Sequence, residues 1–213
     1  MDAATIFAVL ASDAYSSSIF HGVFGRESLF HLNPTFPSGY VINTHSSQRE
    51  NWLAIYYDKS GTAHLFDSLA QPFLQRDFKI FLRHTALHTI FNRTQLQSPN
   101  SSTSGHYCII FLLLCARGYS MNEIVSAFHE NPNRNDLAVK IFINQHIKIP
   151  LTRFPDSNLR WKKQESNINP VLTIRWHWFS QWAFLKNKHE RCVRYFVVII
   201  GHKAKRSLTH KKV

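Results

Sequence analysis

At 213 residues the chain is long enough for one ordinary domain with a buried core and a small appendage. A hydrophobic content of 44% with 14% aromatics excludes wholesale disorder, and three cysteines, Cys108, Cys115 and Cys192, are too few and too odd in number for a disulfide framework. The net charge of +12 is lopsided, because residues 1–150 carry 11 Lys and Arg against 10 Asp and Glu while residues 151–213 carry 14 against 3.

No apolar stretch approaches the roughly 20 residues of a membrane span. The opening "MDAATIFAVLASD" lacks the basic stretch of a secretory signal, so an intracellular site, nucleus or cytoplasm, is expected, with no membrane partner. The 13 histidines are scattered and no Cys/His spacing suggests zinc, so neither a metal nor a cofactor is expected.

In chain order, "AATIFAVLASDAY" has apolar positions at helical spacing and predicts a short N-terminal helix. The connector "HGVFGRESLFHLNPTFPSG" is punctuated by Pro34 and Pro37 and is expected to be irregular. Three β-rich runs follow, "YVINT", "WLAIYYD" and "AHLFDSL". The last two flank "KSG", a hairpin signal in which Gly61 supplies the positive φ of the turn.

"QPFLQRDFKIFLRHTAL" has the 3–4 periodicity of an amphipathic helix, with Pro72 tolerable in its first turn, and "TIFNRTQLQ" reads as a further strand. From Gly105 to Ala116 the chain is apolar nearly all round, which predicts a helix buried in the core. "SMNEIVSAFHE" opens with a capping pattern, Ser120 followed by Glu123, and "NDLAVKIFINQHI" begins with a cap-like Asn135. The expected architecture is an α+β domain over residues 1–150, a mixed sheet between helices with one central buried helix. Residues 151–213 form a separate basic tail that holds four of the five tryptophans.

The stretch "QSPNSSTSGHYC" carries the functional question. A polar run enters an apolar helix, the place where a thiol protease sets its nucleophile, because positive potential at a helix N-terminus favours thiolate. Such chemistry also needs an imidazole base, a group to orient that base and a donor for the oxyanion. At the junction, however, stands Ser104.

The order "YVINT", "NWLAIYYD", "HLFDSL" and "QSPNSSTSGHYC", with "GVFGRESL" before and "ARGYSMNEIVSAF" and "NDLAVKIFI" after, resembles the adenovirus-type cysteine proteases, the adenain group, and their relatives in Polinton/Maverick-type transposons. More distantly it resembles the SUMO- and ubiquitin-like-protein proteases. The resemblance covers roughly residues 5–146 and implies a papain-like/adenain-like fold with the nucleophile position at the start of the central helix. It implies site residues position by position. The catalytic His before the strand Trp corresponds to Asn51 before Trp52, and the acid that orients it corresponds to Asp67. The oxyanion Gln, seven residues before the nucleophile, corresponds to Gln97, and the nucleophilic Cys before Gly corresponds to Ser104 before Gly105. Trp52 and Gly105 would then belong to the substrate cleft.

Two members of that constellation keep their chemistry and two do not. Neutral asparagine cannot accept a proton near pH 7, and a serine hydroxyl is a far weaker acid than a thiol of pKa about 8.5. Loss of such members costs on the order of 10⁶-fold in a serine protease taken as reference. Substitutes exist in principle: His45 could act with Ser104, or Cys108 could replace it one turn along the helix, about 6 Å deeper. His106 reads as a helix-surface residue, and Asp67 has a plainer reading as a cap of the turn in "DSL".

Lysine and arginine interleaved with tryptophan over residues 151–213 is also the composition of a nucleic-acid-binding segment, and DNA is a cofactor in the adenain group. A solvated tail, or sequence read through beyond a decayed element, gives the same composition. The expectation is an adenain-like cysteine endopeptidase homologue of mobile-element or viral ancestry, impaired by Asn51 and Ser104, whose partner is a peptide or protein substrate. The alternatives are a non-enzymatic module binding a peptide or ubiquitin-like protein, and nucleic-acid binding through the tail.

Overall fold

The computed structural model describes residues 1–44, 51–71 and 76–146. The expected boundary at 150, the basic tail, His45 and Pro72 lie outside the described residues. Helix α1 (Ala3–Ser12) is capped by Asp2, whose carboxylate accepts the Thr5 N–H at 2.7 Å, and it buries Ile6, Val9 and Leu10 at the spacing that predicted it. Five strands follow, β1 (Phe20–Gly25), β2 (Ser38–Asn43), β3 (Trp52–Tyr57), β4 (Thr62–Phe66) and β5 (His88–Phe91), with α2 (Arg76–Thr85) between the last two. Three helices close the described chain: α3 (Ser104–Ala116), α4 (Met121–Ser126) and α5 (Pro132–His146).

The strands lie in sequence order, with antiparallel pairs β2–β3 and β3–β4 at the centre and parallel pairs β1–β2 and β4–β5 at the flanks. This is a mixed α+β architecture. Both faces of the sheet are covered, which is why the central strand "WLAIYY" is apolar without alternation. On one face Val41, Trp52, Ala54 and Phe66 pack with α1, α3, α4 and α5; on the other Tyr40, Ile42, Leu53, Ile55, Tyr57 and Leu65 pack with Phe78, Phe81 and Leu82 of α2. The Phe66 and Phe111 rings stack at 4.5 Å and 5°, tying the end of β4 to the middle of α3. Helix α3 is buried over nearly its whole length, as its all-round apolarity predicts.

Two expectations need correction. The connector from His21 to Gly39 is not irregular throughout, since it holds β1 and a 3-10 helix over Arg26–His31. Its strand is interrupted by a register shift between Phe20 and Gly22, where Gly22 has φ 142°, and its partner is a parallel strand beyond the prolines, so no local hairpin pattern announces it. The last helix begins at Pro132, not at Asn135; proline suits the first helical turn because its missing N–H would have no helical partner there. Asn135 is instead fully buried inside that helix. The capping box of α4 forms as read, with the Ser120 hydroxyl accepting the Glu123 N–H and Glu123 accepting the Ser120 N–H at 2.8 Å.

Candidate functional site

The start of β3, the end of β4 and the start of α3 meet at one place. Ser104 is the first residue of α3, is 2% exposed, and its hydroxyl oxygen accepts the Trp52 backbone N–H at 3.2 Å. Asn51, one residue earlier on the β3 side, makes a side-chain hydrogen bond to the Asp67 carboxylate, and its carbonyl accepts the Thr44 N–H at 2.9 Å. Positions 51, 67 and 104, separate in sequence, are thus linked within two hydrogen-bonded steps.

Asp67 caps the turn in "DSL". Its Oδ1 accepts the Leu69 N–H at 3.0 Å and its Oδ2 the Gln71 N–H at 3.2 Å, so the carboxylate holds the turn after β4, in which Ala70 has φ 47°. Asn92 clamps the same residue, taking the Asp67 N–H at 2.8 Å and donating to its carbonyl at 2.6 Å. Burial pushes the Asp67 carboxyl above its ordinary pKa, outweighing the Leu69, Gln71 and Asn51 hydrogen bonds that favour the charged form. A neutral amide at position 51 supplies a dipole but no countercharge.

Gln97 is 2% exposed, and its amide lies within its own loop: Nε2 donates to the Ser101 carbonyl at 2.7 Å and Oε1 accepts the Ser68 hydroxyl at 2.6 Å. It therefore sits beside the Asp67 turn, with its oxygen and one of its two N–H groups held by the turn and by the loop that leads to Ser104. Trp52 and Gly105, expected at a cleft surface, are buried; a Cβ on Gly105 would lie 3.3 Å from Trp52 Cδ1 and 3.1 Å from Ile6 Cδ1. A Cβ there would be tight, because Ile6 of α1 and the indole both press against the first turn of α3. Trp52 and Gly105 pack against each other in the core beside Ser104.

Cys108 is fully buried, and burial together with the nearby Asp67 charge pushes its thiol well above the ordinary value. It is a packed core residue with no tendency to become a thiolate nucleophile. His106 is half-buried, not a surface residue, and its Nδ1 is enclosed without a hydrogen-bond partner. Burial, with nearby positive charge including Lys140, pulls its pKa down to about 4. The unfolded imidazole takes up a proton near 6.5 that the folded one refuses, so stability falls as pH drops from about 6.5 to about 4. Unfolding titrations of the wild type and His106→Gln should diverge through that window, and parallel curves would contradict this assignment.

One acid escaped the sequence reading. Asp136, in the first turns of α5, is 7% exposed and accepts the Ser98 N–H at 3.2 Å, the Thr103 hydroxyl at 2.8 Å and the Tyr107 hydroxyl at 3.0 Å. The signal was present: Asp136 stands three and seven residues before the buried Val139 and Ile143, an acid on an apolar stripe.

Chemically, the arrangement holds a hydroxyl at a helix N-terminus that accepts the Trp52 N–H, and beside it the neighbouring Asn51 amide bonded to a buried carboxylate. Among the described residues no imidazole hydrogen-bonds the Ser104 hydroxyl, and none offers three His, Cys, Asp or Glu side chains grouped to hold a metal ion. No helix among the described residues is long and apolar enough to cross a membrane.

No family model and no curated protein matches the chain. Among solved structures it is similar to the central domain of the uncharacterized Lpg1148 protein from Legionella pneumophila, at 11% identity and a TM-score of 0.41, over 68% of this chain and 94% of that one.

Proposed function

We propose that the chain is an adenain-like cysteine endopeptidase homologue, of mobile-element or viral ancestry and papain-like fold, that no longer hydrolyses peptide bonds. What carries this reading is the convergence of the positions picked from sequence: the Asn51 side chain bonds Asp67 at the end of β4, and the neighbouring Trp52 N–H meets Ser104 at the start of a buried helix. In an active site of this kind a thiol at position 104 attacks the carbonyl, an imidazole at 51 takes and returns the proton, Asp67 orients that imidazole, and Gln97 stabilises the oxyanion. Here the residue at 51 is a neutral amide that cannot take the proton, and the Ser104 hydroxyl accepts the Trp52 backbone N–H.

The unmodified chain is expected to show no peptide hydrolysis above that of Ser104→Ala, measured with a mixed fluorogenic peptide library. Turnover that vanished in Ser104→Ala would overturn the reading.

A further inference from the structure

The Asp136 carboxylate makes contacts that the loss of chemistry at positions 51 and 104 leaves intact. Its three donors lie at both ends of one loop: Ser98 directly after Gln97, Thr103 directly before Ser104, and Tyr107 in the first turn of α3. The neighbouring Asn135 adds a fourth tie, donating to the Leu96 carbonyl at 3.0 Å, which also receives the Tyr107 hydroxyl at 2.9 Å. Inside the loop, Thr103 and Ser101 share a hydroxyl contact of 2.7 Å, and Ser101 in turn receives the Gln97 amide. The segment from Gln97 to Thr103, which is neither helix nor strand, is in this way fixed at its entrance, its interior and its exit.

We propose that Asp136 is a positioning residue for this site: held on α5, it sets the distance between the Gln97 amide and the side chain at position 104. This rests on the peptidase ancestry proposed above. A carboxylate suits the task because ionised acceptors make hydrogen bonds about twice as strong as neutral ones, and it accepts from a backbone N–H and two hydroxyls at once. An asparagine in its place keeps one acceptor oxygen for the hydroxyls but turns an N–H toward the Ser98 N–H. The entrance of the loop is released while the exit stays bound.

Two measurements on the full-length chain test this. In hydrogen exchange of the otherwise unmodified protein, Asp136→Asn should speed exchange of the Ser98–Thr103 amides by about tenfold or more while β3 and β4 change little. Thr103→Val should reproduce part of the effect and Thr103→Ser, which keeps the hydroxyl, should not. Unchanged loop exchange, or acceleration spread equally through the sheet, overturns the inference.

The second measurement adds Asp136→Asn to an Asn51→His, Ser104→Cys background and reads alkylation at position 104 by peptide mapping. Labelling by a peptidyl acyloxymethyl ketone, which needs the oxyanion donor, should slow about tenfold or more, while labelling by iodoacetamide, which does not, stays within about threefold. An equal fall for both reagents would mean a merely structural role and sink the proposal. If the background itself fails to take the ketone, the peptidase ancestry fails, and the exchange result alone decides the role of Asp136.

Discussion

The Asn51→His, Ser104→Cys double variant is expected to react with a peptidyl acyloxymethyl ketone at position 104 on the order of 10²-fold faster than either single variant. The two replacements act as one unit. A thiol alone gains the potential of the α3 N-terminus but no base, and an imidazole alone has only a hydroxyl to deprotonate. The surrounding frame is in place for both, since the residue at 51 already hydrogen-bonds Asp67 and the residue at 104 already faces the start of β3. Asp67 should respond as well. Its carboxyl is pushed up by burial without a countercharge, and an imidazolium at 51 would favour its charged form, closing the His–acid pair. Recovery of reactivity should come with a loss of stability of about 1 kcal/mol, because sulfur is a poor acceptor for the Trp52 N–H that now bonds the serine oxygen. Urea unfolding of Ser104→Cys against the wild type reads that loss. Labelling confined to positions other than 104 would show that these residues do not form a protease-like site.

Much of this frame was legible in the chain itself, and the physical reasons differ by element. Helix α3 announces itself because burial on all sides requires apolar residues on all sides, and the hairpin of β3 and β4 because Gly61, at φ 78°, sits between two apolar runs. Positions 51, 67, 97 and 104 were legible only as a pattern along the sequence, and three of them are joined by contacts that no local rule predicts. Strand β1 was hidden because a parallel strand pairs across a crossover and carries no turn signal of its own. Asp136 and Asn135 were hidden for a related reason: a polar residue at a helix start reads as a cap, whereas these two turn inward and satisfy a loop more than 30 residues away. The burial of Gly105 follows from α1 and the Trp52 indole packing on the start of α3, contacts between segments far apart in sequence.

The contact of α1 with α3 also holds the ion pair whose removal should cost most. Arg117, at the end of α3, bonds both oxygens of Asp13 at 2.6 and 3.1 Å, and the two side chains are only 6% and 1% exposed. Asp13 also accepts the Tyr15 and Ser16 N–H groups at 3.1 and 2.9 Å, and the guanidinium lies 4.6 Å from the Tyr15 ring centre and donates to the Leu113 carbonyl at 2.8 Å. The ion pair and the guanidinium–ring contact therefore join the end of α1 to the end of α3, while the other hydrogen bonds anchor each member in its own segment. Asp13→Ala leaves a buried guanidinium without its carboxylate and two backbone N–H groups without their acceptor, so it should destabilise the protein by about 3–5 kcal/mol. That is a large share of the roughly 5–15 kcal/mol by which a domain is stable. Replacing both members at once, with Asp13→Ala and Arg117→Met, removes the uncompensated charge and should cost less than the sum of the single changes. Equilibrium unfolding of the four proteins closes this cycle. A cost below about 1 kcal/mol for Asp13→Ala would mean that water reaches the pair, because only an exposed ion pair is worth so little. The packing of α1 over Gly105 would then depend mainly on apolar contacts such as those of Met1, Ile6, Val9 and Leu10.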